Sequence, residues 1–353
     1  MKPKKTILVA PLHWGLGHAT RCIPIIRSLI KNRYQVLLAS DGAALALLKN
    51  EFPELPYIEL PSYNITYTKK GVFLKWKLLL KLPQLIKTMG AEKKVVKKLV
   101  AEGKIHGIIS DNRMGVFSKK VPSVVLTHQL RVLSGNTSYF SSKIHQKLIK
   151  KFTECWVPDL AGPINLSGIL GHLDKTDVSV TYIGPLSRMS KKILPIKFDV
   201  LCILSGPEPQ RSLLEKKLME VFKTSKKRVA LVQGTVRDKK TVTDNQGITV
   251  FNFLETRELE KLINQSEIVV ARSGYTTIMD LAVLDKPAFF IPTPGQYEQK
   301  YLAKKLKEQG MVPSCKQEKF NEKKLRKVAL YKGLGKFSAR EDYSDLFSLF
   351  ERE

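Results

Sequence analysis

Residues 268–299 constrain the fold more tightly than any other stretch. Ile268-Val-Val-Ala271 is a short apolar run of the kind that forms a buried strand. Ser273-Gly274 follows at once and permits a sharp turn. Thr276 to Leu284 then reads as a helix, whose first turn leaves backbone N–H groups without intrahelical partners. Those donors and the helix macrodipole, about half a unit charge, converge on one spot where an anion belongs. Asp280 sits farther along the same helix, Ala288-Phe-Phe-Ile291 is the next strand, and Glu298 and Gln299 fall at the following loop or helix start. An anion site followed by an acid and two polar side chains suits a phosphorylated sugar or a nucleotide sugar. An ordinary β-α-β unit with a polar surface has the same order, so the stretch alone leaves both readings open.

The rest of the chain repeats this alternation. Thr6 to Ala10 is a strand, Pro11-Leu-His-Trp-Gly-Leu-Gly-His18 a glycine-containing turn, and Ala19 to Asn32 a helix with Ile23, Ile26, Leu29 and Ile30 on its apolar side. Gln35 to Ala39, Ile105 to Ser110 and Ser123 to Thr127 are further strands, and the last two end on Asp111-Asn-Arg113 and His128-Gln129. Strands alternating with helices imply a doubly wound α/β domain, in which ligands bind beyond the carboxyl ends of the strands. The first turn, Asp111 and His128 are therefore expected at one mouth. Glycine and proline crowd residues 157–198, the punctuation of strand ends and a linker. A second α/β domain opens at Asp199, with strands at 228–232 and 249–251. The expected organisation is a first domain over 1–160, a linker over 161–198, a second domain over 199–336, and a closing helical segment over 337–353 that packs back on the first domain.

Composition narrows the partners. The 353 residues include 60 Lys+Arg against 32 Asp+Glu, a net charge of +28. Such a charge draws polyanions, anionic membranes or phosphorylated substrates without specifying a fold. The basic residues are dispersed and no stacking-aromatic motif recurs, which argues against a nucleic-acid binder. Cys22, Cys155, Cys202 and Cys315 are far apart and form no Cys-x-x-Cys pair, so neither a disulfide framework nor a structural zinc site is expected, as in a reduced, cytoplasmic protein. The apolar run after Met1-Lys-Pro-Lys-Lys5 is too short for a signal peptide, and no stretch has the roughly 18 uncharged apolar residues of a transmembrane helix.

Residues 69–98 differ from the rest. Lysines alternate with Phe73, Trp76, Leu78 to Leu80 and Leu82, and Glu92 is the only acid. A basic amphipathic segment of this kind suits a helix lying on an anionic membrane surface. A packed helix with solvated lysines has the same composition.

Several of these pieces, in this order, resemble the GT-B glycosyltransferases of the MurG type, which place N-acetylglucosamine on a polyprenyl-diphosphate-linked acceptor. Gly15-Leu-Gly-His18 is similar to the family's first glycine loop ending in histidine, and Thr127-His-Gln129 to its histidine-containing loop with one residue missing. Gly184-Pro-Leu-Ser-Arg188 resembles the linker ending in an arginine near the donor, Leu204-Ser205-Gly206 the second phosphate loop, and Asn252-Phe-Leu254 the loop framing the base. Arg272 to Asp280 followed by Glu298-Gln299 looks like the donor signature of inverting nucleotide-sugar transferases. Three departures stand out. Pro207-Glu-Pro209 replaces a glycine-richer loop, the acid at 280 is Asp rather than Glu, and the sugar-reading pair is Glu298-Gln299 rather than two glutamines. N-acetylglucosamine as the donor sugar does not follow.

The resemblance implies two Rossmann-like doubly wound domains facing across a cleft. It further implies inverting transfer of a hexosyl or N-acetylhexosaminyl group from a nucleotide-diphosphate sugar, UDP-linked, to a hydroxyl of a lipid-linked or membrane-proximal acceptor. His18 is the candidate base, although it could instead donate to the donor phosphate or only shape its loop. His13, Asp111 and His128 are the other acceptor-side candidates. Donor contacts are expected from Gly15, Gly17, Arg188, Ser205, Gly206, Leu254, Ser273, Gly274, Thr276, Thr277, Asp280, Glu298 and Gln299. The chain has no Asp-x-Asp motif, so no metal and no other cofactor is expected. A nucleotide-sugar 2-epimerase on the same fold and a non-catalytic binder of anionic surfaces are the rival readings.

Overall fold

Short β-branched and leucine-rich runs separated by helices build two parallel sheets. The computed structural model describes residues 4–63, 82–206, 208–235, 241–340 and 342–351. The first sheet contains β1 (Thr6–Pro11), β2 (Gln35–Ser40), β3 (Tyr57–Glu59), β4 (Gly107–Asp111), β5 (Ser123–Leu126), β6 (Glu154–Val157) and β7 (Val180–Tyr182). Their order is β3-β2-β1-β4-β5-β6-β7, and every pairing is parallel. Such strands are buried on both faces; all five residues of β4 and all four of β5 are buried. The order reverses between β1 and β4, where Pro11 stands opposite Asp111. That reversal opens a crevice at the carboxyl ends of these two strands.

Helices α1 (Gly17–Lys31) and α2 (Gly42–Glu51) follow β1 and β2. Helix α3 (Leu82–Ala101) precedes β4, and α4 (Ser138–Ile149) links β5 to β6. Residues 69–81 of the expected membrane segment lie outside the described residues. Over 82–98 the structure shows one face of the segment packed on the sheet. Thr88, Glu92, Val96 and Leu99 of α3 are buried, and Val96 and Leu99 pack with Leu8, Ala10 and Ile108 under the sheet. The single acid, Glu92, is fully buried and paired with Arg113. Most of this stretch is a packed helix with outward lysines, and only its start presents exposed apolar side chains, Leu82 and Ile86.

The second sheet contains β8 (Phe198–Ile203), β9 (Val229–Val232), β10 (Val242–Asn245), β11 (Ile248–Phe251), β12 (Ser266–Ala271) and β13 (Ala288–Phe290). Its order is β10-β11-β9-β8-β12-β13, with only β10 antiparallel. Helices α5 (Gln210–Phe222), α6 (Thr256–Asn264), α7 (Tyr275–Val283) and α8 (Tyr297–Glu308) surround it. Val200, Leu214, Leu231, Val270, Phe289 and Phe320 lie in its core. Here the order reverses between β8 and β12, where Ile203 stands opposite Ala271.

The expected linker over 161–198 is not one. The first compact unit continues to Ser187, takes β7 into its sheet, and also includes the residues from Ala339 onward; the second unit spans Arg188–Ser338. The closing segment folds as α9 (Ser344–Phe347) and a 3₁₀ turn over Ser348–Glu351, shorter than the expected helix. It joins the first unit through a bond from Lys5 Nζ to the Phe350 carbonyl at 2.8 Å and from Tyr34 Oη to Glu351 Oε1 at 2.5 Å. Phe350 also packs edge-on against Trp156. Among the described residues, no helix is long and apolar enough to cross a membrane.

Candidate active site

The loop after β1 carries the first group of candidates. Gly15 adopts φ +80°, a left-handed conformation that a side chain would strain. This turn delivers Gly17 and His18 as the first residues of α1. His18 Nδ1 lies 2.7 Å from Asp111 Oδ1 at the end of β4. Asp111 is 0% exposed. Burial pushes its carboxyl up, but the Arg21 guanidinium and the His18 imidazole beside it hold it down at about 2. Asp111 was a candidate base; a buried carboxylate held this far below neutral pH does not take up a proton there, and its place is behind the imidazole as orienter.

Arg21 was not among the sequence candidates. It lies one turn after His18 on the same face of α1 and is 2% exposed. Its Nε donates to Asp111 Oδ2 at 2.5 Å, and its Nη2 donates to Oδ1. His128 is also buried at this mouth, with Nδ1 3.3 Å from Arg21 Nη1. Its burial against the guanidinium makes His128 part of the packing behind His18 rather than an exposed base.

His13 stands at the other end of the loop. Its Nδ1 lies 3.3 Å from Asp41 Oδ2, and its ring covers Gly42, where an added Cβ would meet Cε1 at 2.3 Å. Asp41 is ion-paired with the fully buried Arg113, which also bonds Glu92 Oε1 at 2.7 Å and the Pro11 carbonyl at 3.0 Å. Tyr63 Oη donates to Glu92 Oε2 at 2.6 Å. The loop from His13 to His18 is thus fixed at both ends by an imidazole, a carboxylate and a buried guanidinium.

In the second unit, Ser205 and Gly206 follow β8, while Arg272, Ser273 and Gly274 follow its neighbour β12. Gly206 has φ +95°. Gly274 caps α7 without any side-chain cap, and the first bond back to it comes from the Ile278 N–H at 3.0 Å. The N–H groups of the first turn precede that bond, as at any helix N-terminus. Asp280 lies on the same helix and is half-buried, as is Glu298 at the start of α8. Leu254 is buried after β11. Arg188 is the first residue of this unit and is half-buried.

Two expectations change here. Gln299 is 9% exposed, and its Oε1 accepts from the Thr293 N–H at 2.8 Å. The Ser273 hydroxyl is buried and donates to the Gln299 carbonyl at 2.8 Å. Both side chains tie the β13–α8 loop to the turn after β12, so Gln299 shapes the site rather than presenting its carboxamide oxygen to a sugar. Arg272 faces inward, donating to the Ile291 and Gln210 carbonyls and to Gln317. Burial lowers its guanidinium to about 10.

Known proteins agree with this architecture. Residues 200–336 match the glycosyltransferase family 28 C-terminal domain. An uncharacterised glycosyltransferase of Methanopyrus kandleri is 21% identical over 336 residues, 88% of this chain and 90% of its own length. The UDP-N-acetylglucosamine–N-acetylmuramyl-(pentapeptide) pyrophosphoryl-undecaprenol N-acetylglucosamine transferase of Haemophilus ducreyi is 19% identical over 53% of this chain and 51% of its own. The crystal structure of Acinetobacter baumannii MurG superposes with a TM-score of 0.59 at 13% identity, covering 99% of this chain and 100% of that one. Two parallel-sheet units, a family 28 C-terminal domain over residues 200–336 and glycosyltransferase relatives along most of the chain lead to one assignment: the protein has the two-domain GT-B fold and is similar to glycosyltransferases of the MurG-like type.

Proposed function

We propose that the protein transfers a hexosyl or N-acetylhexosaminyl group, with inversion, from a UDP-linked sugar to the hydroxyl of a lipid-linked or membrane-proximal acceptor. The observation that carries this reading is the His18–Asp111 pair at 2.7 Å. A carboxylate on Nδ1 fixes that nitrogen as the proton-bearing one, and no described group bonds to Nε2. Nε2 is then the end that removes the acceptor proton. As the acceptor oxygen forms its bond to the sugar's anomeric carbon, the carbon–oxygen bond to the diphosphate breaks and that oxygen keeps the electron pair. The His18 imidazolium later releases its proton to water.

The second unit supplies the donor site in this reading. The first turn of α7 offers its helix N-terminus to the leaving diphosphate, an electrostatic role that often dominates catalysis. Ser205, Gly206 and Arg188 add to that anion site. Asp280 accepts from the ribose hydroxyls, Leu254 lies against the base, and Glu298 binds sugar hydroxyls. Gly15 and Gly17 let the backbone approach the substrate. In this reading a helix N-terminus neutralises the diphosphate and no metal ion is needed, so excess EDTA is expected to leave the rate unchanged. The H. ducreyi relative's name specifies UDP-N-acetylglucosamine and a pyrophosphoryl-undecaprenol acceptor, which supports a UDP donor and a lipid-anchored acceptor as classes.

A membrane-proximal acceptor finds support on α4. Tyr139, Phe140 and Ile144 are 68%, 70% and 65% exposed, and Lys143, Lys147 and Lys151 are exposed around them. A crossover helix runs antiparallel to its strands, so these side chains, near the start of α4, lie toward the carboxyl edge where His18 stands. Apolar side chains ringed by lysines match an anionic lipid surface.

The reading is tested by incubating the protein with UDP-hexoses and polyprenyl-linked glycans and following products by NMR. An α-linked donor giving a β-linked product supports it. A product that keeps the donor's anomeric configuration refutes inversion, and a sugar altered without any acceptor points to an epimerase.

A further inference from the structure

Two groups approach the same nitrogen of His18. Asp111 Oδ1 is 2.7 Å from Nδ1, and Arg21 Nη2 is 3.0 Å from it. They make opposite demands: a carboxylate needs a donor at Nδ1, whereas a guanidinium needs an acceptor. Arg21 has carboxylate oxygens to donate to, through Nε at 2.5 Å and through Nη2, so its approach to Nδ1 is a consequence of gripping Asp111. The nitrogen therefore carries the proton.

We propose that Arg21 is the positioning residue of the site, which keeps Asp111 ionised and thereby fixes His18 with its proton on Nδ1 and its lone pair on Nε2. Asp111 is 0% exposed, so water does not stabilise its charge. A carboxylate in that setting takes up a proton unless a cation compensates it. Several groups face it. On α1 they are His18, Arg21 and Cys22, whose Sγ is 3.7 Å away and whose thiol is pushed well up by burial. Asn112 Nδ2 lies at 3.3 Å, and His128 reaches the cluster through Arg21. Cys22 and Asn112 supply no positive charge, and His18 is the group being set. The fixed charge comes from Arg21.

The consequence reaches the reacting atoms. With Arg21 removed, protonated Asp111 becomes a donor to His18 Nδ1. The neutral imidazole must then carry its own proton on Nε2, the end facing the acceptor, and cannot receive another. A merely structural arginine would leave the tautomer alone.

The experiment reads the tautomer directly and needs no substrate. The full chain is labelled with ¹⁵N-histidine, and long-range ¹H–¹⁵N spectra are recorded across pH. The six imidazoles are separated by the loss of one set of peaks in His18→Gln. In the native protein His18 is expected as Nδ1–H with a pyridine-type Nε2. In Arg21→Gln it is expected to convert to Nε2–H near neutral pH and to return to Nδ1–H as the pH is raised. In Arg21→Lys, which keeps the charge, it is expected to stay Nδ1–H. A folded Arg21→Gln protein that remains Nδ1–H at neutral pH overturns the proposal. If Arg21→Gln does not fold, an Nε2–H form in Arg21→Lys overturns it equally. The catalytic reading, on which the functional meaning rests, fails separately if UDP-sugars do not raise the melting temperature.

Discussion

His18 Nδ1 and Asp111 Oδ1 stand 2.7 Å apart although 93 positions separate them in the chain. The parallel register of β1 and β4, which sets Pro11 opposite Asp111, brings them together. In the proposed mechanism, replacing His18 with Ala removes the group that takes the acceptor's proton. The turnover number is expected to fall about 10²–10⁴-fold, with donor affinity held within a few-fold because the proposed donor side chains lie in the second unit. Asp111→Asn leaves an amide that can donate to Nδ1 and so favours the unproductive tautomer, and a loss of similar order is expected. Steady-state kinetics with donor and acceptor varied separately check both.

The same carboxylate gives stability a defined pH dependence. Its folded-state value, about 2, lies below the ordinary 3.8. A depressed carboxylate contributes stability that is present above the unfolded value and is lost as pH falls toward the folded one. For Asp111 that window runs from about pH 4 down to about pH 2, and the contribution is of order 2 kcal/mol. Asp111→Asn should be less stable than the native protein at pH 6, with the gap narrowing as pH drops through the window. Urea unfolding at a series of pH values measures it.

Phe350 anchors the closing segment in the first unit. It is 1% exposed and lies where a side chain at Gly107 would collide, with a Cβ meeting its ring at 2.4 Å. Phe350→Ala empties a buried aromatic site and should cost about 3–5 kcal/mol. Gly107→Ala should expel the ring and destabilise the same unit. Thermal unfolding followed by near-UV circular dichroism, where Trp156 reports, distinguishes loss of this packing from a global change.

The fold and the positions of the mouths were legible because each depends on local pattern. Short apolar runs ending in Gly15, Ser205-Gly206 or Ser273-Gly274 mark strand ends wherever they occur, and parallel topology then gathers them. The polar machinery behind the loop was not legible. Arg21 reaches Asp111 across 90 positions, and Arg113 reaches Asp41 across 72; such pairings leave no local signature. One clue was present: Arg21 sits among Ala19, Cys22, Ile25 and Leu29 on the buried side of α1, where a charge needs a partner. A similar clue in α3 was the isolated Glu92. Alternating lysines and apolar residues describe a packed helix and a membrane-lying one equally, and only its ion pair with Arg113 separates them. Gln299 is of a residue type that reads sugars and also satisfies loop N–H groups, and its Oε1 serves the loop here.

The exposed side chains of α4 give a direct test of membrane contact. Phe140→Ser with Ile144→Ser removes apolar area without disturbing the buried Ile149. Cosedimentation with vesicles containing anionic phospholipid should fall several-fold while the melting temperature stays within a few degrees. Unchanged cosedimentation removes α4 from the membrane surface.

Whether the second unit holds a nucleotide-diphosphate sugar against α7 is measured by calorimetric titration of UDP-sugars into the native protein and Asp280→Ala. Saturable binding to the native protein without added metal is expected, weakened about tenfold or more by Asp280→Ala as a buried ribose hydrogen bond to a charged group is lost. Equal affinity in the two proteins, or no binding of any UDP-sugar to the native one, would contradict that placement of the donor.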